Sequence, residues 1–235
     1  MTTRHALLAI LAAFLALAAS PVRATDSHDY TRDEYAIIRD GLAPNEHLSL
    51  ASHADPDAEA SVDGNNFHVW LMTEPAHRRI VALDDIGSNN NLDTGPSAYH
   101  AFWSPDSRHV GVAFGSDCHA LQLNLYRIES RRAHLVFGPS LFKDVSSREV
   151  GAHDDLRESG SAIEWRGTRR FVLKEHRLFL TGDPSFARRL GRYAREKDRT
   201  DDGRSFVEFS AEADCLLMPG NRYRIVDLRV GKFRE

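Results

Sequence analysis

Cysteine is scarce in this chain: Cys118 and Cys215 are the two among 235 residues, too few for a small disulfide-stapled fold or a zinc site built from cysteine pairs. The G-x-S-x-G turn of α/β-hydrolases is missing, as is a glycine-rich loop spaced to cradle phosphate. No two of the 12 histidines stand at H-x-x-x-H spacing, so the short-range signature of a histidine metal site is absent. The acidic pairs Asp84-Asp85 and Asp154-Asp155 are sequence neighbours, whereas carboxylates that cleave glycosides are normally far apart in the chain. A basic excess is lacking too: Lys and Arg number 30 against 34 Asp and Glu, net −4, which argues against nucleic acid as the partner.

Long apolar runs are confined to the first residues. Arg4 precedes an unbroken apolar stretch, Ala6 to Ala19, followed by Pro21 and the small-residue end Val22-Arg23-Ala24. That is the plan of a signal peptide, and the stretch is shorter than the ~20 residues a spanning helix needs. The expectation is a leader over 1–24, one β-rich domain over 25–235, no transmembrane segment after removal, and a periplasmic or secreted location. The leader holds Arg4 and Arg23 and no acid, so the remainder carries 28 basic against 34 acidic residues, net −6. Thiols oxidise readily outside the cytosol, which predicts a Cys118–Cys215 disulfide closing a loop of 97 residues. The chain-entropy model gives it ~4–5 kcal/mol. Two free buried thiols are the alternative.

Along the chain, Tyr35, Ile37 and Ile38 fit a short helix over 32–39 that Gly41 and Pro44 end. Leu48 and Leu50 alternate as a short strand, and Phe67 to Met72 and Arg79 to Leu83 form a hairpin around Glu74-Pro75. Leu121, Leu123 and Leu125 begin another, which returns through His134 to Phe137. Residues 141–158 read as loop with one helical turn, and Ala162 to Trp165 turns through Gly167-Thr168-Arg169-Arg170 into an apolar strand ending near Leu180. Asp183 and Pro184 suit the start of a helix with Phe186, Leu190 and Tyr193 at core spacing. Its other side holds Arg188, Arg189, Arg192, Arg195 and Lys197, a solvated face or one that fits anionic lipid or an acidic partner. Phe206 to Phe209 and Tyr223 to Val230 close the chain as strands.

The central stretch is Ala98 to Phe114. Tyr99, Phe102 and Trp103 lead into Ser104-Pro105-Asp106-Ser107, and Val110, Val112 and Phe114 then alternate in the two-residue period of a strand. Over residues 98–114 this resembles the repeat of TolB-type and WD40-like β-propellers, whose strands are joined by W-S-P-D-G, with Ser107 here in the glycine position. The resemblance implies blade-like antiparallel sheets. The fold class expected is therefore mainly β with one late α-helix, propeller-like, with a β-sandwich or an α+β arrangement as alternatives.

Chemistry-bearing candidates are few. Asp85, Asn89, Asn91 and Asp93 place oxygen ligands at intervals in a polar loop, the donor type calcium prefers, although the loop lacks the bidentate Glu of an EF-hand. No cofactor is required by any motif, and calcium is the one this loop would take. His100, beside the central hairpin, is the ligand-binding candidate. The functional expectation is an exported protein that binds an envelope protein or a small ligand through its loops. The alternatives are a metal-dependent hydrolase using His100, Asp93 and the Asn-rich loop, and a structural envelope component.

Overall fold

Residues 28–55, 67–87, 93–117, 119–136, 139–148 and 154–233 are described by the computed structural model of the chain. The leader, Cys118, Asn89 and Asn91 lie outside them.

Eight strands form the first sheet: β1 (Ala36–Leu42), β2 (Leu48–Ala54), β3 (Phe67–Thr73), β4 (Arg78–Gly87), β5 (His100–Trp103), β6 (His109–Asp117), β7 (Ala120–Glu129) and β8 (Arg132–Val136). Their order is β4-β3-β2-β1-β5-β6-β7-β8, antiparallel throughout except where β1 runs parallel to β5, Arg39 facing His100. The expected hairpins are present, merged edge to edge into one sheet instead of standing as separate blades. It curls until its edges, β4 and β8, approach each other, so the barrel is nearly closed. Side chains bridge the seam. Tyr126 donates to the Asp84 carbonyl at 2.6 Å, and Asn124 Nδ2 reaches the Asp85 carbonyl and carboxylate at 3.1 Å each.

Period-2 alternation fills the barrel. Leu50, Val69, Leu71, Val110, Val112 and Phe114 are fully buried inside it, and the Tyr99 ring stacks between Phe67 at 5.5 Å and Phe114 at 6.3 Å. Each such side chain contributes about 1.5–3 kcal/mol of burial. Segment 32–39 is not a helix: residues 36–42 are β1, with Ala36 opposite Ser52 and Ile37 opposite Ala51. The β-branched Ile37-Ile38 pair suits a strand, and pairing with β2 prevailed over a helical spacing only a few residues long.

The second sheet holds β9 (Asp154–Trp165), β10 (Arg170–Thr181), β11 (Ala194–Arg199), β12 (Ser205–Met218) and β13 (Arg222–Val230), ordered β11-β12-β10-β9 with β13 beside β12. Two short helices, α1 (Leu141–Ser146) and α2 (Pro184–Leu190), cover its apolar face. Phe142, Phe179, Phe186 and Phe209 form edge-on and tilted pairs there, at 5.1 to 5.9 Å. The outer face of the barrel contributes to the same core through Ala113, Leu123, Leu125 and Val136. α2 begins as expected, with Asp183 accepting from Ser185 N and with Phe186 and Leu190 buried. It is shorter than expected, however, and Arg195 and Lys197 lie on strand β11. The turn-rich stretch 141–158 contains α1 and already starts β9 at Asp154.

Candidate functional site

Of the polar loop candidates, Asp85 and Asp93 meet the barrel at one rim. Asp85, at φ 61°, accepts from Gln122 Nε2 and Asn124 Nδ2 at 3.1 Å, so its carboxylate serves the barrel seam. The Asp93 carboxylate lies against Gly115, 3.3 Å from where a Cβ would stand, and its carbonyl accepts from Tyr99 at 2.5 Å. His100 faces Ala113 in register, two positions along β6 from Gly115, so His100 and Asp93 share one face of β6. The His100 imidazole, however, contacts the Asp40 carboxylate at 2.7 Å and the Phe102 ring at 4.2 Å. Among the described residues no three His, Cys, Asp or Glu side chains converge as a metal site. Asn89 and Asn91 lie outside them.

Cys215 is a free, buried thiol, 2% exposed, its pKa pushed up to about 12 chiefly by burial and further by Asp144 and Asp214. It faces Phe171 across β10, and Cys118, its partner in the expected disulfide, lies outside the described residues.

The opposite end of the molecule carries a different chemistry. Hydrogen bonds stitch the hairpin turns together there. Glu74 N donates to His47 O at 2.9 Å, Asn45 N to Ser107 Oγ at 3.1 Å, Ile128 N to Arg108 O at 2.7 Å, and Leu217 N to Arg169 O at 2.8 Å. Trp165 Nε1 donates to Phe102 O at 2.8 Å, which brings the β9–β10 turn to the same end. The turn at Ser104 is self-bonded, with Ser104 Oγ and Arg108 N both donating to Asp106 Oδ1 at 2.7 and 3.2 Å. Ser107 takes φ 57° in the position where the propeller motif has glycine, and its hydroxyl tethers Asn45 in return.

These turns expose Arg108, Arg131, Arg132, Arg166, Arg169 and Arg170, against Glu46, Asp106, Glu129 and Glu164. Arg166 pairs with Glu164 at 2.7 Å and Arg127 with Glu129 at 3.2 Å. Register places His109, Arg127 and His134 side by side on three neighbouring strands of the outer barrel face, and the Trp165 ring leans on His109 at 6.0 Å. Burial lowers the His109 pKa, aided by Arg127 and Arg108 and opposed by Asp106. Arginines within two turn sequences, Ser130-Arg131-Arg132 and Thr168-Arg169-Arg170, were the available signal for this end; the placing of His109 beside Arg127 and His134 follows only from the register.

A second histidine cluster is structural. His77 places Nδ1 at 2.8 Å from Glu74 Oε1 and Nε2 at 2.8 Å from the Tyr35 carbonyl, while Ser49 Oγ donates to Glu74 at 2.6 Å. Two acceptors on one ring require the imidazolium, and the His77 pKa is raised, first by Glu74.

No family model matches the chain, and no curated protein matches it. A solved structure from a study of two prolyl endopeptidases aligns at 11% identity and a TM-score of 0.33, over 82% of this chain and 28% of that one. The chain thus spans little more than a quarter of that protein, and a likeness this low assigns neither fold nor activity.

Proposed function

We propose that the chain is an exported binding protein that recognises a macromolecular partner through its hairpin-turn end. The observation that carries this reading is a concentration of exposed arginines on hydrogen-bonded turns, Arg131 among them at φ 65°, in a chain whose net charge is −4. A rigid basic end on an acidic protein steers an acidic partner toward one orientation. Backbone held in the left-handed region by a non-glycine residue is a cost of order 1 kcal/mol that function can explain.

Site-specific photo-crosslinking in the exporting cell tests the reading. A photoreactive residue in place of Arg131 is expected to give a discrete protein adduct, and one in place of Arg157, exposed near the opposite end of β9 from Trp165, none. The Arg131→Glu/Arg132→Glu double variant, probed from position 166, is expected to lose that adduct. Adducts of equal yield at both ends, or adducts indifferent to the charge reversal, overturn it.

A further inference from the structure

We infer that His109 and Arg127 form a docking site for a carboxylate side chain of an acidic polypeptide, which names the partner class of the hairpin-turn end and rests on that reading. The two residues face each other directly across β6 and β7. His109 Nδ1 and Arg127 Nε are both shielded from solvent, and neither has a hydrogen-bond partner. Buried polar groups in native proteins are nearly always bonded, so two orphans side by side call for an acceptor. Glu129 holds the far end of the guanidinium at 3.2 Å through Nη2, which leaves the Nε edge for another oxygen.

The donor set selects the ligand. Arg127 is already paired with Glu129 and burial lowers the His109 pKa, so the positive charge that favours an anion here comes from the exposed Arg108, Arg131 and Arg132 of the adjoining turns. With His109 in the Nδ1–H tautomer, two oxygens on one carbon match the two donors, Nδ1–H of His109 and Nε–H of Arg127. Trp165 walls the site on the side of the second sheet and supplies an apolar surface for the methylenes of a glutamate. The Arg127 side chain is 37% exposed, so entry is from the turn end, past Arg108, Arg131 and Arg132. Those exposed cations complement further acids on either side of the docked one. A flat anionic membrane would touch the turn tips alone and leave both nitrogens unmatched.

The test uses the exported chain, fluorescein-labelled hexaglutamate followed by anisotropy at low salt, and vesicles containing phosphatidylglycerol. Wild type is expected to bind hexaglutamate, with the His109 ring resonances shifting on addition. His109→Gln and Arg127→Gln are each expected to weaken binding by roughly tenfold or more. Arg127→Lys keeps the charge and loses the Nε donor, and is expected not to restore affinity; its melting temperature checks that the fold is intact. Unchanged binding in these variants, with loss in Arg131→Glu/Arg132→Glu, overturns the docking site and leaves the basic-surface reading standing. Binding to the vesicles in preference to the peptide overturns the partner class, and no binding of hexaglutamate with silent His109 resonances overturns the inference outright.

Discussion

Gly111 of β6 and Ile163 of β9 meet where the second sheet crosses the barrel: a Cβ on residue 111 would stand 2.7 Å from Ile163 Cδ1. A methyl there would have to push the end of the Ile163 side chain aside. The close approach lets Ile163, 5% exposed, join the core that Leu123 and Leu125 supply from the barrel side.

The contact predicts a compensating pair. Gly111→Ala is expected to destabilise the protein by about 1–3 kcal/mol through overpacking. Ile163→Val removes the offending methyl, so the double variant is expected to be more stable than the sum of its singles by about 1 kcal/mol. Urea unfolding midpoints measure the four proteins. Simple additivity would show that the sheets do not meet at this point.

Glu175 is a buried carboxylate with a positional duty. It accepts from Leu141 N at 2.5 Å, from Phe142 N at 3.2 Å and from Arg177 Nε at 2.7 Å, and so anchors the start of α1. Burial raises its pKa, against the pull of Arg177 and the two amides. Glu175→Ala strands two backbone donors and a half-buried guanidinium, with an expected loss of about 3–5 kcal/mol in thermal or urea unfolding. Glu175→Gln keeps the shape and is expected to lose less.

The β7–β8 turn trades stability for charge. Ser130 and Arg131 both sit in the left-handed region, at φ 49° and 65°, the geometry in which Asn-Gly is the preferred pair. Ser130→Asn/Arg131→Gly is expected to raise stability by about 1 kcal/mol while weakening hexaglutamate binding. A gain in melting temperature without any change in binding would remove Arg131 from the recognition surface.

The raised His77 pKa gives a pH dependence of known sign. A group with its folded pKa above the unfolded value contributes stability that is fully present below the unfolded pKa and is lost as pH rises through the folded one. Stability is therefore expected to fall from about pH 6.5 upward by less than 1 kcal/mol, because over a third of the His77 side chain is open to solvent screening. His77→Gln is expected to flatten this slope. A slope unchanged in that variant would assign the effect elsewhere.

Cys215 is expected to resist alkylation in the native protein. Its thiol is buried and its pKa stands near 12, so the reactive thiolate is absent at neutral pH. Mass spectrometry after iodoacetamide, with and without denaturant, reads the difference. Rapid native labelling would mean that this core opens.

Alternation of side chains already located most of the strands. Phe67 to Met72, Val110 to Phe114 and Leu121 to Leu125 were readable as strands from the two-residue period of their apolar side chains, and the turn residues between them marked the hairpins. The cap at Asp183 was equally local, since its side chain bonds an amide two residues away. Short-range rules could not reach further. Whether Tyr35 to Ile38 is helix or strand depended on β2, and the closure of the barrel on Asn124 and Tyr126 meeting Asp84 and Asp85 about 40 positions earlier in the chain.

The candidate site divides the same way. Residue types told which groups hold charge or donate hydrogen bonds, and the arginines of two turns were visible as such. His100 was singled out by its place beside the central hairpin, and the structure gives it Asp40 as partner. His109, Arg127 and Trp165 come from three strands, and their meeting follows from strand register and from the crossing at Gly111. By itself the sequence determined where most of the strands and their hairpin turns lie, because those follow from backbone geometry and solvent over a few residues. Tertiary structure alone decided which strands became neighbours and which polar atoms were left facing one another, because that depends on packing between segments far apart in the chain.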